Sequence, residues 1–288
     1  MTLALSCVIF QNSKVLSKCR NIKYSNFLKR GDNLIVQQAL KQATPTRHSV
    51  NKPQFVGFVN DLIGSVSSSV PPRPQAFHVE QGPHWTLPTP FNQEHQFQVF
   101  VSGGGTIGKS RLGRLAVHYA SPHSGYGPLI SGDEGISYLT LRAVGDSGAW
   151  YLPEQREHLQ LRIKKQQAHA VPAFQVSLEQ LRCLPQATEE TLIELDSGGL
   201  AAWLVRLPPG GQALPPAVNE VGGGRFYVVT QGSLRIATQE LPALATVFVS
   251  RDDSLDFQSG RDGLEILVLQ FPLAAAASFV ESMASPPA

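Results

Sequence analysis

The stretch Gly224-Arg225-Phe226-Tyr227-Val228-Val229-Thr230-Gln231-Gly232-Ser233-Leu234-Arg235-Ile236 limits this chain to few architectures. Aromatic and β-branched residues form a strand-like run, a glycine interrupts it, and a second short run resumes. Other short runs of the same texture lie on either side. With 25 Gly and 21 Pro in 288 residues, the punctuation predicts many turns and few long helices.

Along the chain, Asp32 is placed to cap a short helix ending near Ala43, with Ile35, Val36, Ala39, Leu40 and Ala43 on one face and Pro45 beyond it. Residues 55–70 read as a short helix or strand entering a Ser-rich turn, and Pro71-Pro72-Arg73-Pro74 marks a boundary. Strand-like runs follow at Phe97–Val101, turned by Ser102-Gly103-Gly104-Gly105, at Leu115–Tyr119 and at Ile136–Arg142. Pro153 opens a polar segment, residues 153–167, that reads as a connecting helix. Strand texture returns at Thr191–Leu195, Ala201–Val205, Phe226–Thr230, Leu234–Ile236, Thr246–Val249 and Leu264–Leu269, and a helix is expected over Ala274–Met283. Two β units of similar length suggest a diverged internal duplication. Trp150 and Trp203 read as core residues, and Cys183 as a small buried hydrophobe.

Charge is unevenly spread. Residues 1–60 hold nine Lys and Arg against one acid, Asp32, and the remainder is mildly acidic. An acid-poor leader of this kind has the composition of an organelle transit peptide, a disordered tail, a basic arm, or translation from an upstream start. The net charge of +2 gives no ground for nucleic-acid binding, and no apolar run reaches the length of a membrane span. Three cysteines, Cys7, Cys19 and Cys183, make neither a disulfide framework nor a zinc motif. A soluble, cytoplasmic protein is expected, with organelle import as the alternative.

The second unit resembles the cupin superfamily of small jelly-roll barrels. The resemblance rests on Pro208-Pro209-Gly210-Gly211, on the Phe226-Tyr227-Val228-Val229 run leading to Gly232-Ser233-Leu234, and on Val247-Phe248-Val249 about fifteen residues later. The first unit carries a weaker likeness in Gln96–Gly103 and Val117–Pro122. It implies a mainly β chain: an N-terminal extension over 1–74, mostly irregular and partly disordered, a first barrel over 75–152, a connecting helical segment over 153–187, and a second barrel over 188–288 with a C-terminal helix. Metal-binding cupins carry His-x-His, then a Glu four or five residues on, a Gly seven beyond the Glu, and a later His, a donor set that suits a divalent ion.

Counting back from Gly232 puts Arg225 at the Glu position, Val218 and Glu220 at the first two His positions, and Leu255 near the last. From Ala170 onward the chain has no histidine, so the second barrel has no metal set. Counting back from Gly103 gives Gln96 for the Glu, Pro90 and Asn92 for the first pair, and about Tyr126 for the last His. No metal is therefore favoured; His95, His118 and His123 of the first barrel form the alternative set for a divalent ion. The expected pocket residues are Glu220, Arg225, Tyr227, Gln96 and Tyr126, with Arg225 projecting inward beside Tyr227 and paired either with Glu220 or with a carboxylate ligand.

The expected function is metal-independent binding or handling of a small molecule, with catalysis left open and a homodimer favoured by exposed sheet edges. One alternative is a metal-dependent oxygenase or isomerase using the first barrel. Another is a nucleotide-binding enzyme, because Gly103, four residues, then Gly108-Lys109-Ser110 match the letters of a phosphate loop. Such a loop needs a helix opening at Lys-Ser, and Gly113 argues against one there.

Overall fold

Alternate residues of the strand Gln96–Ile107 go to two different cores. Phe97 and Val99 pack into one apolar cluster, whereas Phe100 packs into another. This period-2 division, repeated on every long strand, builds the molecule. The structure is a computed structural model describing residues 35–64, 74–146, 148–213, 216 and 222–275.

Two large antiparallel sheets form, beside a short pairing of Trp150–Tyr151 with Pro90–Phe91. In the first the order is Gln167–Ala170, Val117–Ala120, Gln96–Ile107, Leu129–Arg142, Gln75–Gln81, Phe55–Ile63 and His48–Lys52. In the second it is Ile35–Ala39, Ala245–Val249, Arg225–Ile236, Phe257–Gln270, Ala201–Leu207 and Thr188–Ile193. The first six strands of the first order correspond in turn to the six of the second, as a duplication requires, and His48–Lys52 is an additional edge strand. Gln96–Ile107 and Arg225–Ile236 each have 12 residues, and Leu129–Arg142 and Phe257–Gln270 each have 14, so the repeats align without gaps there.

The edge strands are exchanged between the repeats. Ile35–Ala39 precedes the first barrel in sequence but pairs with Ala245–Val249 of the second. Gln167–Ala170 precedes the second but pairs with Val117–Ala120 of the first.

Gly103 and Gly232 anchor equivalent kinks. Both have left-handed φ, +70° and +68°, and a Cβ there would lie 2.2 Å from the Gly135 carbonyl oxygen and 2.0 Å from that of Gly263. Only glycine fits such an approach. Strand Gln96–Ile107 therefore bends at its Ser-Gly-Gly-Gly run and continues, instead of turning as the sequence suggests.

Three apolar clusters result. One fills the first barrel, around Phe77, Phe100, Leu129 and Tyr138. A second fills the other barrel, around Trp203, Tyr227, Val229, Phe257 and Ile266. The third lies between the sheets, where Phe97, Val99 and Leu139 meet Phe226, Leu267 and Phe271. Phe97 and Phe271 meet edge to face at 5.0 Å, a favoured aromatic geometry.

Several local expectations are corrected. The helix expected to end near Ala43 is strand Ile35–Ala39 followed by one turn, Leu40–Ala43, because the Ala245–Val249 edge captures the segment; its proposed cap, Asp32, lies outside the described residues. Within 55–70, read as a short helix or strand, Phe55–Ile63 is a strand of the first sheet, and His48–Lys52 of the expected irregular extension pairs with it. The connecting helix over 153–167 shrinks to a 3-10 turn, Arg156–His158, and the true short helix is Leu178–Arg182, where Ser177 and Gln180 form a capping box. Cys183 is exposed, just past that helix. Trp203 is buried as expected, whereas Trp150 is half-buried and stacks on His158 at 4.8 Å. A helical turn starts at Leu273, and the rest of the expected C-terminal helix lies outside the described residues. Among the described residues no helix is long and apolar enough to cross a membrane.

Candidate functional site

The interior of the first barrel is polar at one end. Gln96, Gln98, Thr140 and Arg142 point inward from neighbouring strands, and Asn92 and Tyr126 arrive from loops; all six are buried. Arg142, 3% exposed, holds the cluster together. Its Nη1 donates to Gln75 Oε1 at 2.7 Å, its Nη2 to Asn92 Oδ1 at 2.9 Å and Gln96 Oε1 at 3.1 Å, and its Nε to Gln96 Oε1 at 3.3 Å. Asn92 Nδ2 donates to the Tyr126 hydroxyl at 3.2 Å, and Gln96 Nε2 donates to it as well. Arg142 also lies over the Phe77 ring at 5.5 Å.

Counting back from Gly103 thus picked out three residues that do converge: Asn92, Gln96 and Tyr126. Arg142, the group they surround, was not anticipated. It ends a strand whose pairing with Gln96 spans 46 positions, and no local motif signals that.

A buried guanidinium needs compensation. Burial lowers the pKa of Arg142, while Asp146, Tyr126 and Glu94 act to raise it. Asp146 does not bond to Arg142 directly. Its carboxylate accepts from the backbone N–H groups of Gln93 at 2.8 Å and Glu94 at 3.3 Å, and its own N–H donates to Gln75 at 3.4 Å. Burial and the Asp146 charge together push Glu94 up to about 7.

Beside this cluster lies a second row with open valences. His118 is 4% exposed, and neither ring nitrogen has a hydrogen-bond partner among the described residues. Gln98, its cross-strand partner, leaves Oε1 equally unpaired. Burial, and then His169, push His118 down to about 4, so it is neutral at pH 7. The rings of His118 and Tyr126 lie 5.2 Å apart.

The alternative metal set does not assemble. His95 shares a 2.6 Å hydrogen bond with Tyr119, whose ring belongs to the cluster between the sheets, while His118 faces the barrel interior. His123 packs against Trp150 and accepts from the Gln160 N–H at 3.4 Å. Among the described residues no group of three or more His, Cys, Asp or Glu is arranged to hold a metal.

The phosphate-loop reading is also corrected. Gly103–Ile107 is strand, Gly108 and Lys109 form the turn, and Ser110 opens the return strand Ser110–Leu112. With a hairpin in place of a helix N-terminus, no fan of N–H groups faces a phosphate.

In the second barrel, Arg225 Nε donates to Gln270 Oε1 at 3.1 Å, and Gln270 Nε2 donates to the Gly199 carbonyl at 2.8 Å. Burial raises the pKa of Tyr227, against the effect of the adjacent Arg225. Leu255, at the last ligand position, is buried in the apolar interior. Glu220 and Val218 lie outside the described residues. The expected inward Arg225–Tyr227 neighbourhood is present, and the internal partner of Arg225 seen here is Gln270.

No protein-family model and no curated protein matches the sequence. Solved structures do. A Nostoc punctiforme protein provisionally described as a dioxygenase superposes with TM-score 0.54 at 13% identity, covering 84% of each chain. Escherichia coli pirin YhhW, in complex with nickel(II), gives 0.51 at 11%, covering 83% of this chain and 99% of that one. Oxalate decarboxylase from Bacillus subtilis gives 0.50 at 12%, covering 82% and 76%. The chain has the bicupin fold. Within that fold the residues of the first barrel can be compared with what a divalent ion requires. A metal there would meet a guanidinium, two amides and a phenol, with a single histidine beside them, and these do not fit a divalent ion. The first barrel has a cation of its own, Arg142, among these groups.

Proposed function

We propose that this bicupin binds a small carboxylate-bearing molecule in its first barrel without a metal. The observation that carries the reading is the Arg142 guanidinium, buried and bonded only to neutral amides. Four donor contacts leave one Nη1 hydrogen free, since a guanidinium has five. A carboxylate would accept it and neutralise a charge that Asp146 offsets only from a distance. The unpaired His118 nitrogens and Gln98 Oε1 supply further polar contacts on the same inner face. Buried groups of this kind favour a partner strongly, because leaving them unpaired costs about 1–3 kcal/mol each.

The fold supports the choice of ligand class. Oxalate decarboxylase, by its name, acts on a dicarboxylate within the same architecture. Glu94, with its pKa near 7, is a group able to exchange a proton with a bound acid at neutral pH, while His118 stays a neutral hydrogen-bonding group.

Titration calorimetry tests this, with acetate, oxalate and malonate added to chelator-treated protein. Saturable binding of at least one acid, lost in Arg142→Met, is expected. Binding that appears only after nickel or manganese is restored, or that persists unchanged in Arg142→Met, overturns the proposal.

A further inference from the structure

The duplication places two matching clefts outside the barrels, and their contents differ. In one, the cross-strand row Arg206–Glu265–Gln231 is covered by the loop carrying Arg114 and Leu115 from the other barrel. In its counterpart, the row Glu80–Ser137–Ser102 is covered by the loop carrying Ala243 and Leu244. The correspondence is close. Leu115 and Leu244 have left-handed φ, 66° and 63°, and each donates its N–H at 2.8 Å to the equivalent strand carbonyl, Phe100 and Val229.

The first of these clefts is filled. Glu265, wholly buried, accepts from Arg206 at 2.9 Å, Arg114 at 2.7 Å and Thr230 at 3.0 Å. The carbonyls of Phe174 and Val176 close it by accepting from Arg206 and Gln231. Two guanidiniums there meet two carboxylates, Glu265 and Glu190.

The second cleft holds a cavity of about 380 Å³ lined by residues that include His78, Glu80, Ser102, Glu134, Ser137 and Leu244. Arg47 reaches Glu80 through a paired contact, Nε to Oε1 at 3.0 Å and Nη2 to Oε2 at 2.9 Å. Nothing corresponds to Arg114, because Ala243 stands in its place. Glu80 is paired with Arg47 and lies 3.6 Å from His78 Nδ1, whereas no guanidinium equivalent to Arg114 stands beside the exposed Glu134, so the cleft lacks the second guanidinium of its sister. On its wall His78, 6% exposed, has an Nε2 with no partner among the described residues.

We propose that this cavity is a separate ligand site for a small molecule carrying a guanidinium or ammonium group. The ligand's cation occupies the place that Arg114 fills in the sister cleft, against Glu134 and the Ser102–Ser137 hydroxyl pair, whose oxygens lie 2.7 Å apart. His78 Nε2 offers a further polar contact. The volume lies within the usual range of small-molecule pockets.

The test is calorimetry on the full chain with butylguanidinium, butylammonium and, as a neutral probe, butylurea. Saturable binding of at least one cation is expected, with butylurea weaker by about tenfold, the loss of one charge-assisted contact. Ala243→Arg, an exposed position, supplies the chain's own guanidinium and should displace the probe; Glu134→Gln should weaken it. Arg142→Met should leave this binding unchanged, which separates the site from the barrel interior. Absence of saturable cation binding, equal binding of butylurea, or unaltered affinity in Ala243→Arg overturns the proposal.

Discussion

Arg142 donates to Gln96 across the same strand pair on which Arg225 donates to Gln270 in the second barrel, with the two residue types exchanged between strands. In both repeats an arginine–amide pair ends the central strands, and it includes Gln96 or Arg225, the positions to which the cupin resemblance assigns a carboxylate. The surroundings then diverge. Gln75, Asn92 and Tyr126 extend the first pair into a buried network, whereas the second faces an interior packed with Trp203, Phe257 and Leu255.

That divergence predicts unequal costs. Arg142→Met leaves acceptors on Asn92 and Gln96 without the guanidinium and Gln75 with only the 3.4 Å Asp146 N–H, and should destabilise the protein by about 3 kcal/mol. Arg225→Met loses one bond at a half-buried position and should cost about 1 kcal/mol. Urea denaturation of both variants decides the point. A double-mutant cycle of Arg142→Met with Gln96→Met should return a coupling of about 1 kcal/mol.

The pH dependence has two limbs. His118 has a folded pKa of about 4 against an ordinary 6.5, so the unfolded chain takes up a proton that the folded one refuses. Its contribution is complete above pH 6.5 and is lost as pH falls toward 4; His95, pushed down to about 4 by burial, acts in the same sense. Glu94 behaves oppositely. Its folded pKa of about 7 lies above the ordinary 4.5, so its contribution is complete below 4.5 and is lost as pH rises through 7. Melting temperatures measured from pH 4 to 8 should show Glu94→Gln gaining on the wild type at pH 8 but not at pH 4. His118→Leu should flatten the acid limb.

The exchanged edge strand gives a third expectation. Ile35–Ala39 covers the Ala245–Val249 strand of the second barrel, and Gln37 reaches across to Gln239. Deleting residues 1–39 exposes that edge, and a bare edge invites pairing with another chain. Light scattering should report self-association of the truncated protein, with a lowered melting temperature. A monomer of unchanged stability would mean that the strand contributes little.

How much of this was legible depends on range. Gly103 and Gly232 obey a local backbone demand, so counting from them reached Asn92, Gln96, Tyr126, Arg225 and Leu255 without a structure. Arg142 was hidden because its role arises from pairing with a distant strand. Ile35, Val36, Ala39, Leu40 and Ala43 fall at helical spacing, yet the segment's fate is set by an edge more than 200 residues away. The phosphate-loop letters were misleading for a related reason: glycines that suit a phosphate cradle equally suit a bent strand and its hairpin. The sister clefts were illegible altogether, since each joins residues of both repeats.

The buried network of the filled cleft yields the last prediction. Glu265 is wholly buried and Arg206 is 1% exposed. Burial alone would raise the Glu265 pKa, but Arg206 and Arg114 bring it below the usual carboxylate range, so it stays ionised. Glu265→Leu leaves Arg206 with the partly exposed Glu190 at 3.6 Å as its carboxylate and the Phe174 carbonyl as its neutral acceptor, and should cost about 3–5 kcal/mol, as loss of one member of a buried ion pair does. Replacing both members is another matter. Glu265→Leu with Arg206→Met removes the unpaired charge and fills the same space with apolar atoms, and should recover most of the loss. Arg114 is then left with an exposed route to water, being 28% accessible, and adds little penalty. Chemical denaturation of the two single variants and the double variant measures this directly. A double variant as unstable as Glu265→Leu alone would show that the charges hold the barrels together through geometry that apolar packing cannot replace.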